Sequence, residues 1–214
     1  MFEGYSPATI DFLWGIRFNN NREWFKEHKA EYEQHLYRPT LALAEDVRQG
    51  FSIPGTIIKN ARIYRDTRYS DGVPYKEHLW FCLREDNVFW SEHPSMYFQI
   101  EPEGGSLGFI FYAPRAALME THRRYMRKHP GAFEAVMTPI LDSGRFQDCS
   151  TRYKRLKEGG SPDIDRWYQL KNCFLEETIP VGDELYDPAL PGRIISAFEL
   201  LRPLYQYFRT LETL

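Results

Sequence analysis

The chain has 214 residues, and its 27 Lys and Arg against 30 Asp and Glu give a formal net charge of −3 at pH 7. With 43% hydrophobic and 27% charged residues, the composition is that of an ordinary globular protein and excludes collagen-like and intrinsically disordered classes. The slightly acidic balance offers no global attraction to nucleic acid or anionic lipid, which ranks nucleic acid last among the partners considered.

The cysteines and the start of the chain bear on location. Cys82, Cys149 and Cys173 lie far apart and show no CxxC spacing, which favours free thiols in a reducing compartment over a disulfide framework or a zinc ribbon. The chain does not open with a cationic start followed by an apolar stretch, and no apolar run approaches the roughly 18 residues of a membrane span. We therefore expect a soluble cytoplasmic protein with no membrane partner.

Residues 1–50 have a helical pattern. Ser6 followed by Pro7 is typical of a helix start, and the first helix is expected to end at the asparagine run that begins at Asn19. Asn20 followed three residues later by Glu23 resembles a capping box and predicts the start of a second helix.

The second helix has an amphipathic sequence. Its apolar face would hold Trp24 or Phe25, His28, Tyr32 and Leu36. Pro39 either kinks this helix or begins another, and Gly50 is a plausible stop.

From residue 57 to residue 112 the pattern changes to short β-branched and aromatic runs separated by turn residues. The predicted strands are residues 57–66, 77–84, 96–101 and 107–112. The segment from Glu101 to Gly105 predicts a hairpin connection between the last two of these strands.

The helical period returns after residue 114. One apolar face holds Leu118, His122, Tyr125 and Met126, and a second holds Phe133, Val136, Met137 and Ile140. The first of these helices is expected to end before Pro130 and the second near Gly144. Residues 171–179 predict a further strand, and a long amphipathic C-terminal helix follows, with Pro203 as an expected kink.

The order of helices, then strands, then helices favours an α+β fold over a doubly wound parallel sheet. We expect a single domain over residues 1–214, with a central and mostly antiparallel sheet and with N-terminal and C-terminal helices packed around it. Within it, residues 1–50 would be helical, residues 57–112 would form the sheet, and residues 114–214 would be helical and mixed.

The segment from Arg62 to Ser70 does not show the alternation of polar and apolar residues that is expected of a strand. In a half-buried strand successive side chains point to opposite faces, yet a strand through this segment would place cations on both. Such inconsistency is expected where function or a charge network overrides simple patterning. A turn at residues 71–74 would then bring residues 75–78 against the first arm, gathering cations and tyrosines around Asp66.

This cluster predicts an anion site. Arginine grips phosphate or carboxylate with a planar fork, lysine adds a point charge, and tyrosine donates a hydrogen bond or stacks. The candidate ligand-binding residues are Arg62, Arg65, Arg68, Tyr75 and Lys76. If chemistry occurs, Asp66 or His78 is the acid–base candidate, because arginines stay charged.

Two further hypotheses use the same residues differently. The Arg and Asp side chains could form an ion-pair network that pins a loop to the sheet, with no ligand. The function would then lie in an aromatic-rich surface for a protein partner or a homo-oligomer, since 16% of the residues are Phe, Trp or Tyr.

The sequence also resembles a known family at several places. Arg62 to Ser70, followed by Pro74-Tyr75-Lys76 and His78-Leu79, looks like the hallmark of the bacterial and fungal family called domain of unknown function 2461. Similar blocks are Phe12-Leu13, Asn20-Asn21, Glu23-Trp24-Phe25, Tyr32-Glu33 with Pro39, Tyr97-Phe98, Ile100-Glu101-Pro102 and Leu170-Lys171 with Phe174. The resemblance implies a single α+β domain and implies no reaction.

The sequence departs from the family pattern at one turn. The family's turn before the proline usually carries lysines and is about one residue longer, whereas this chain has Asp71-Gly72-Val73. Lys76 is then the main ammonium group near the cluster.

Other chemistry finds little support. The six histidines form neither HxH nor HExxH, and His28 and His35, seven residues apart on one helix, lack a carboxylate at ligand spacing. No phosphate-binding or dinucleotide-binding glycine motif is present, so we expect no metal and no cofactor. Cys82 lies in an apolar run and is interpreted as a buried small hydrophobe rather than a nucleophile.

Overall fold

The computed structural model describes residues 1–66, 68, 72–86, 88–155 and 165–213. Its α-helices are α1 (Pro7–Phe18), α2 (Arg22–Glu27), α3 (Lys29–Glu31), α4 (Arg38–Gly50), α5 (Ala116–Lys128), α6 (Ala132–Asp142), α7 (Asp165–Tyr168), α8 (Asp183–Tyr186) and α9 (Leu190–Leu211). A π-helical turn, Tyr32–Tyr37, joins α3 to α4, and a short 3-10 helix spans Trp90–Glu92. No helix in these described ranges has the length and apolar character needed to cross a membrane.

In the part of the chain that the structure describes, six strands form one antiparallel sheet. They are β1 (Thr56–Asn60), β2 (Leu79–Glu85), β3 (Ser95–Glu101), β4 (Gly104–Phe111), β5 (Gln147–Asp148) and β6 (Cys173–Pro180). Their order across the sheet is β1-β2-β3-β4-β6-β5. The fold is therefore α+β with a central antiparallel sheet, as the element order predicted.

One face of the sheet is the floor of the hydrophobic core. Phe81, Phe98 and Phe109, on three adjacent strands, are fully buried on this face. The long helix α9 covers it, and the ring of Phe208 stacks on that of Phe109 with 5.9 Å between centroids. The alternate residues of the same strands point to the other face of the sheet, which lies outside the hydrophobic core.

The first two helices begin close to where the sequence pattern predicts, but the cap of the second differs. The first two helices begin at Pro7 and Arg22, but the cap of the second is Asn21, whose side chain accepts a hydrogen bond from the Trp24 backbone N–H at 2.9 Å. The predicted cap, Asn20, instead hydrogen-bonds the backbone of Tyr75, 55 residues away. An asparagine side chain hydrogen-bonds backbone groups both in a helix cap and in a contact with a distant residue. Local sequence therefore cannot distinguish the two roles.

The second predicted helix is interrupted. It ends at Glu27, and after His28 the chain continues through α3 and the π-helical turn. Helix α4 begins at Arg38, directly after the π-helical turn, with Pro39 in its first turn, and it ends at Gly50.

The first predicted strand was too long. Strand β1 ends at Asn60, and residues 61–66 leave the ladder, with one bridge from Tyr64 to Tyr75 in the part of this loop that the structure describes. Residues 63 and 65 hydrogen-bond residues 74 and 76 instead of β2, although Ile63 is still buried in the core. The remaining predicted strands start or end within three residues of the observed bounds, and the hairpin turn lies at residues 102–103 as expected.

Candidate functional site

The open face of the sheet forms the floor of a cleft of about 1210 Å³. The strand register arranges its side chains in rows that cross the sheet. One row runs Lys59, Cys82, Tyr97, Gly108 and Glu176, and the next holds Trp80, Gln99 and Ser106. The cleft therefore depends on sheet topology, because strand pairing brings together side chains from the five strands β1, β2, β3, β4 and β6.

The rim beside β1 and β2 comes from the N-terminal helices. Lys29, Tyr32, Glu33 and Tyr37 contribute to the lining, and Lys29 lies 3.9 Å from the Glu33 carboxylate. Three of these residues belong to the π-helical turn, a form of helix that occurs often at functional sites.

The second part of the rim is the loop that sequence analysis singled out. Its two arms are held together by hydrogen bonds from Arg65 N to Pro74 O at 2.9 Å and from Lys76 N to Ile63 O at 2.7 Å. Ile63 is fully buried, and Tyr75 stacks on Phe25 with 4.2 Å between ring centroids. The loop thus has its own anchors, which fix the charged side chains between them.

Four of the seven predicted site residues line the cleft: Arg62, Asp66, Lys76 and His78. The Lys76 Nζ donates a hydrogen bond to Arg62 O at 2.7 Å and lies 5.9 Å from the centre of the Trp80 ring. Neither Arg62 nor Lys76 forms an ion pair with a carboxylate of the described residues.

The other three predicted residues do not line it. Arg68 forms a bidentate pair with Asp66, at 2.9 Å from Nε to Oδ1 and 2.6 Å from Nη2 to Oδ2. Arg65 lies 4.0 Å from the Glu77 carboxylate, which Arg17 also contacts at 2.9 Å. Tyr75 is buried in the aromatic cluster beneath the loop.

The surroundings change the protonation of these groups. Burial, followed by the charge of Lys76 and of Arg65, lowers the pKa of His78 to about 4. Burial also lowers the pKa of Lys76, and Arg65 adds to the effect. The hydrogen bonds from Arg68 lower the pKa of Asp66 to about 2. At neutral pH the imidazole is neutral and the Asp66 carboxylate is ionised.

Most residues of the cleft floor were not predicted from the sequence. Lys59 and Arg84 add two cations to the lining, and Tyr97 donates a hydrogen bond to the Glu176 carboxylate at 2.8 Å. The sequence does carry a sign of a polar sheet face, because polar Ser95, Tyr97 and Gln99 alternate with apolar residues along β3. Alternation shows that a strand has a polar face, but it does not show that the face borders a cleft.

Two polar atoms of the cleft have no protein partner. Asn60 Oδ1 and Ser95 Oγ are buried and accept or donate no hydrogen bond among the described residues. Buried polar groups are usually paired, so two unpaired atoms beside the cleft are unusual.

The cysteine in the cleft is not activated. Cys82 is buried, and burial raises the pKa of its thiol to about 12. The thiol is protonated at neutral pH, which agrees with its interpretation as a small hydrophobe.

A different group of side chains could hold a metal ion. Ligand atoms of Glu85, His93 and Glu212, outside the cleft, lie within 4.8 Å of one another. Arg209 forms ion pairs with both carboxylates, so its guanidinium already supplies the positive charge there. His28 lines a separate groove of about 370 Å³ and stacks on Trp24.

Comparison with known proteins agrees with the resemblance carried by the loop. The model of a conserved hypothetical protein family, DUF2461, matches residues 8–207. Among curated proteins, no sequence matches the chain. The family match covers the helical rim, the Arg-rich loop and every strand of the sheet, and the chain belongs to the DUF2461 family of conserved hypothetical proteins.

Proposed function

We propose that the cleft binds a small molecule through an anionic group, a phosphate or a carboxylate. The observation that carries the proposal is the group Lys59, Arg62 and Lys76, three of the cations that line the cleft without an ion-pair partner among the described residues. An anion at this position receives charge-assisted hydrogen bonds, which are the strong ones. We name these residues the cationic end.

The proposed ligand is organic beyond its charged group. Trp80, Ile110, Phe174 and the tyrosines of the rim add apolar surface to the charged and polar side chains of the lining, and small-molecule sites usually combine apolar surface with convergent polar groups. A volume of about 1210 Å³ accommodates a ligand larger than an inorganic ion.

If the protein catalyses a reaction, we favour His78 over Asp66 as the proton-transfer group. The neutral imidazole has a nitrogen that can accept a proton, and an anion bound at the cationic end would raise its lowered pKa. Asp66 is held ionised by Arg68 and would be a poor proton donor near neutrality.

For Arg65 and Arg68 we propose the alternative role, stabilisation of the fold. Their guanidinium groups face the carboxylates of Glu77 and Asp66 rather than the cleft. Replacing either by Ala should leave anion affinity almost unchanged and should loosen the loop.

The test is anion-dependent stabilisation. Inorganic phosphate and succinate should raise the unfolding temperature in a saturable way when ionic strength is held constant with chloride. Arg62→Gln and Lys76→Gln should each weaken the fitted affinity by about tenfold or more, because a charge-assisted hydrogen bond contributes about 1.5 to 3 kcal/mol.

The matched control is Arg124→Gln with Lys128→Gln. Both residues are exposed on α5 and outside the cleft, so this pair removes two positive charges without touching the site. Saturable stabilisation should survive in the control. No saturable effect in the wild type, or an equal loss in the control, would overturn the proposal.

A further inference from the structure

A carboxylate lies in the cleft across the sheet from the cationic end. Glu176, on β6, occupies the same cross-strand row as Lys59 on β1. Four strand spacings separate them, about 19 Å along the sheet. The cleft therefore has charges of opposite sign at its two ends.

Glu176 is not neutralised by the protein. Its Oε2 accepts the hydrogen bond from Tyr97 at 2.8 Å, and neither oxygen forms an ion pair with a described Lys, Arg or His. The next residue, Glu177, points to the opposite face and pairs with Arg145 and Arg193 at 2.9 and 2.8 Å. The buried carboxylate of Glu177 is therefore paired with two arginines, whereas the carboxylate of Glu176 in the cleft has no ion-pair partner among the described residues.

The surroundings of Glu176 suit a positively charged group. The Tyr97 hydroxyl holds one oxygen in place, which leaves Oε1 to accept a hydrogen bond from a ligand. The Tyr97 and Phe174 rings, 6.1 Å apart, border the same position, and aromatic faces attract cations.

From this arrangement we infer that the ligand is dipolar, with an ammonium-type group at Glu176 and its phosphate or carboxylate at the cationic end. The inference rests on the proposed function for the anionic end and adds the group that the far end recognises. The apolar side chains between the two ends, Trp80 and Ile110 among them, fit the carbon skeleton of such a zwitterion.

The probes are two pairs of compounds that differ only in the amine: 12-aminododecanoate with dodecanoate, and 8-aminooctanoate with octanoate. Affinities are measured by calorimetry or thermal shift for the wild type and for Glu176→Gln. The glutamine can still accept the Tyr97 hydrogen bond through its amide oxygen, so the fold should be preserved. Glu27→Gln, on the exposed side of α2, removes one carboxylate outside the cleft as the control.

In the wild type we expect the amine to strengthen binding in at least one pair. Glu176→Gln should reduce that advantage by about tenfold, the effect of about 1.4 kcal/mol, while octanoate and phosphate bind as before or more tightly. Glu27→Gln should keep the advantage.

An amine advantage that is absent in the wild type, or unchanged in Glu176→Gln, would overturn the dipolar ligand. The outcome is separable from the proposed function, because phosphate and octanoate would still bind through Arg62 and Lys76. If those anions do not bind either, the cationic end itself is refuted.

Discussion

Two histidines illustrate how burial controls charge at the residue scale. His122 is fully buried, with Nδ1 3.0 Å from the Tyr207 hydroxyl, and burial lowers its pKa to about 4. His78, at the cleft, has its pKa lowered to about 4 by burial and by nearby cations. Both are neutral in the folded protein and become cationic on unfolding in mild acid.

This predicts a loss of stability in mild acid. Between the ordinary pKa of 6.5 and the folded pKa of about 4, the unfolded chain binds more protons. The free energy of unfolding therefore falls as pH falls through this window, by about 2 kcal/mol per histidine between pH 7 and pH 5. Urea unfolding at the two pH values measures the difference.

His122→Gln should remove about half of that pH-dependent loss, although it also lowers stability at pH 7. His129→Gln is the control, because His129 is exposed and follows α5. Equal pH dependence in His122→Gln and the wild type would show that His122 does not carry the effect.

At the scale of elements, the contact between β4 and β6 sets the floor of the cleft. A Cβ placed on Gly108 would lie 1.9 Å from Leu175 O and 3.2 Å from Glu176 Cα, so a side chain there would push the two strands apart. Glycine is required at this position to keep Glu176 in register with Tyr97.

We therefore expect Gly108→Ala to lower the free energy of unfolding by about 2 kcal/mol or more, the scale of overpacking with backbone shifts. Gly192→Ala is the matched substitution. Gly192 lies in α9, and apart from its chain neighbours and the nearby backbone of its own helix, no atom lies within 4 Å of the added Cβ. This substitution should stabilise by up to about 1 kcal/mol through helix propensity. Similar effects at both positions in chemical denaturation would contradict this account of the sheet.

The elements were predictable where local rules decide, and the site was not. Apolar periodicity placed β6 and α9, because each buries one regular face. The loop is held by contacts between residues far apart in sequence, such as Asn20 with Tyr75, and no local pattern encodes them.

About half of the candidate site could be predicted from the sequence, for a related reason. Arg62 was predicted because its segment violates strand alternation, and Lys76 because a turn was expected to bring it against that segment. Glu176 obeys the alternation, so nothing in β6 alone distinguishes a cleft carboxylate from one that faces bulk water.

For the whole molecule, a net charge of −3 conceals an uneven distribution. Many carboxylates pair with arginines away from the cleft, as Glu45 does with Arg48 and Glu199 with Arg202. The cleft holds five cationic side chains (Lys29, Lys59, Arg62, Lys76 and Arg84) against three carboxylates (Glu33, Asp66 and Glu176). A nearly neutral protein thereby presents a positively charged recess over one face of its sheet, which favours the anion binding that we propose.

The most direct test of the central claim is an amide NMR titration of the full chain with inorganic phosphate at constant ionic strength. The account predicts saturable shifts that concentrate at residues 59–62 and 76–80, around the cationic end, with one common dissociation constant. Saturable shifts confined to another surface, such as residues 124–128 of α5, or no saturable shift at all, would contradict it.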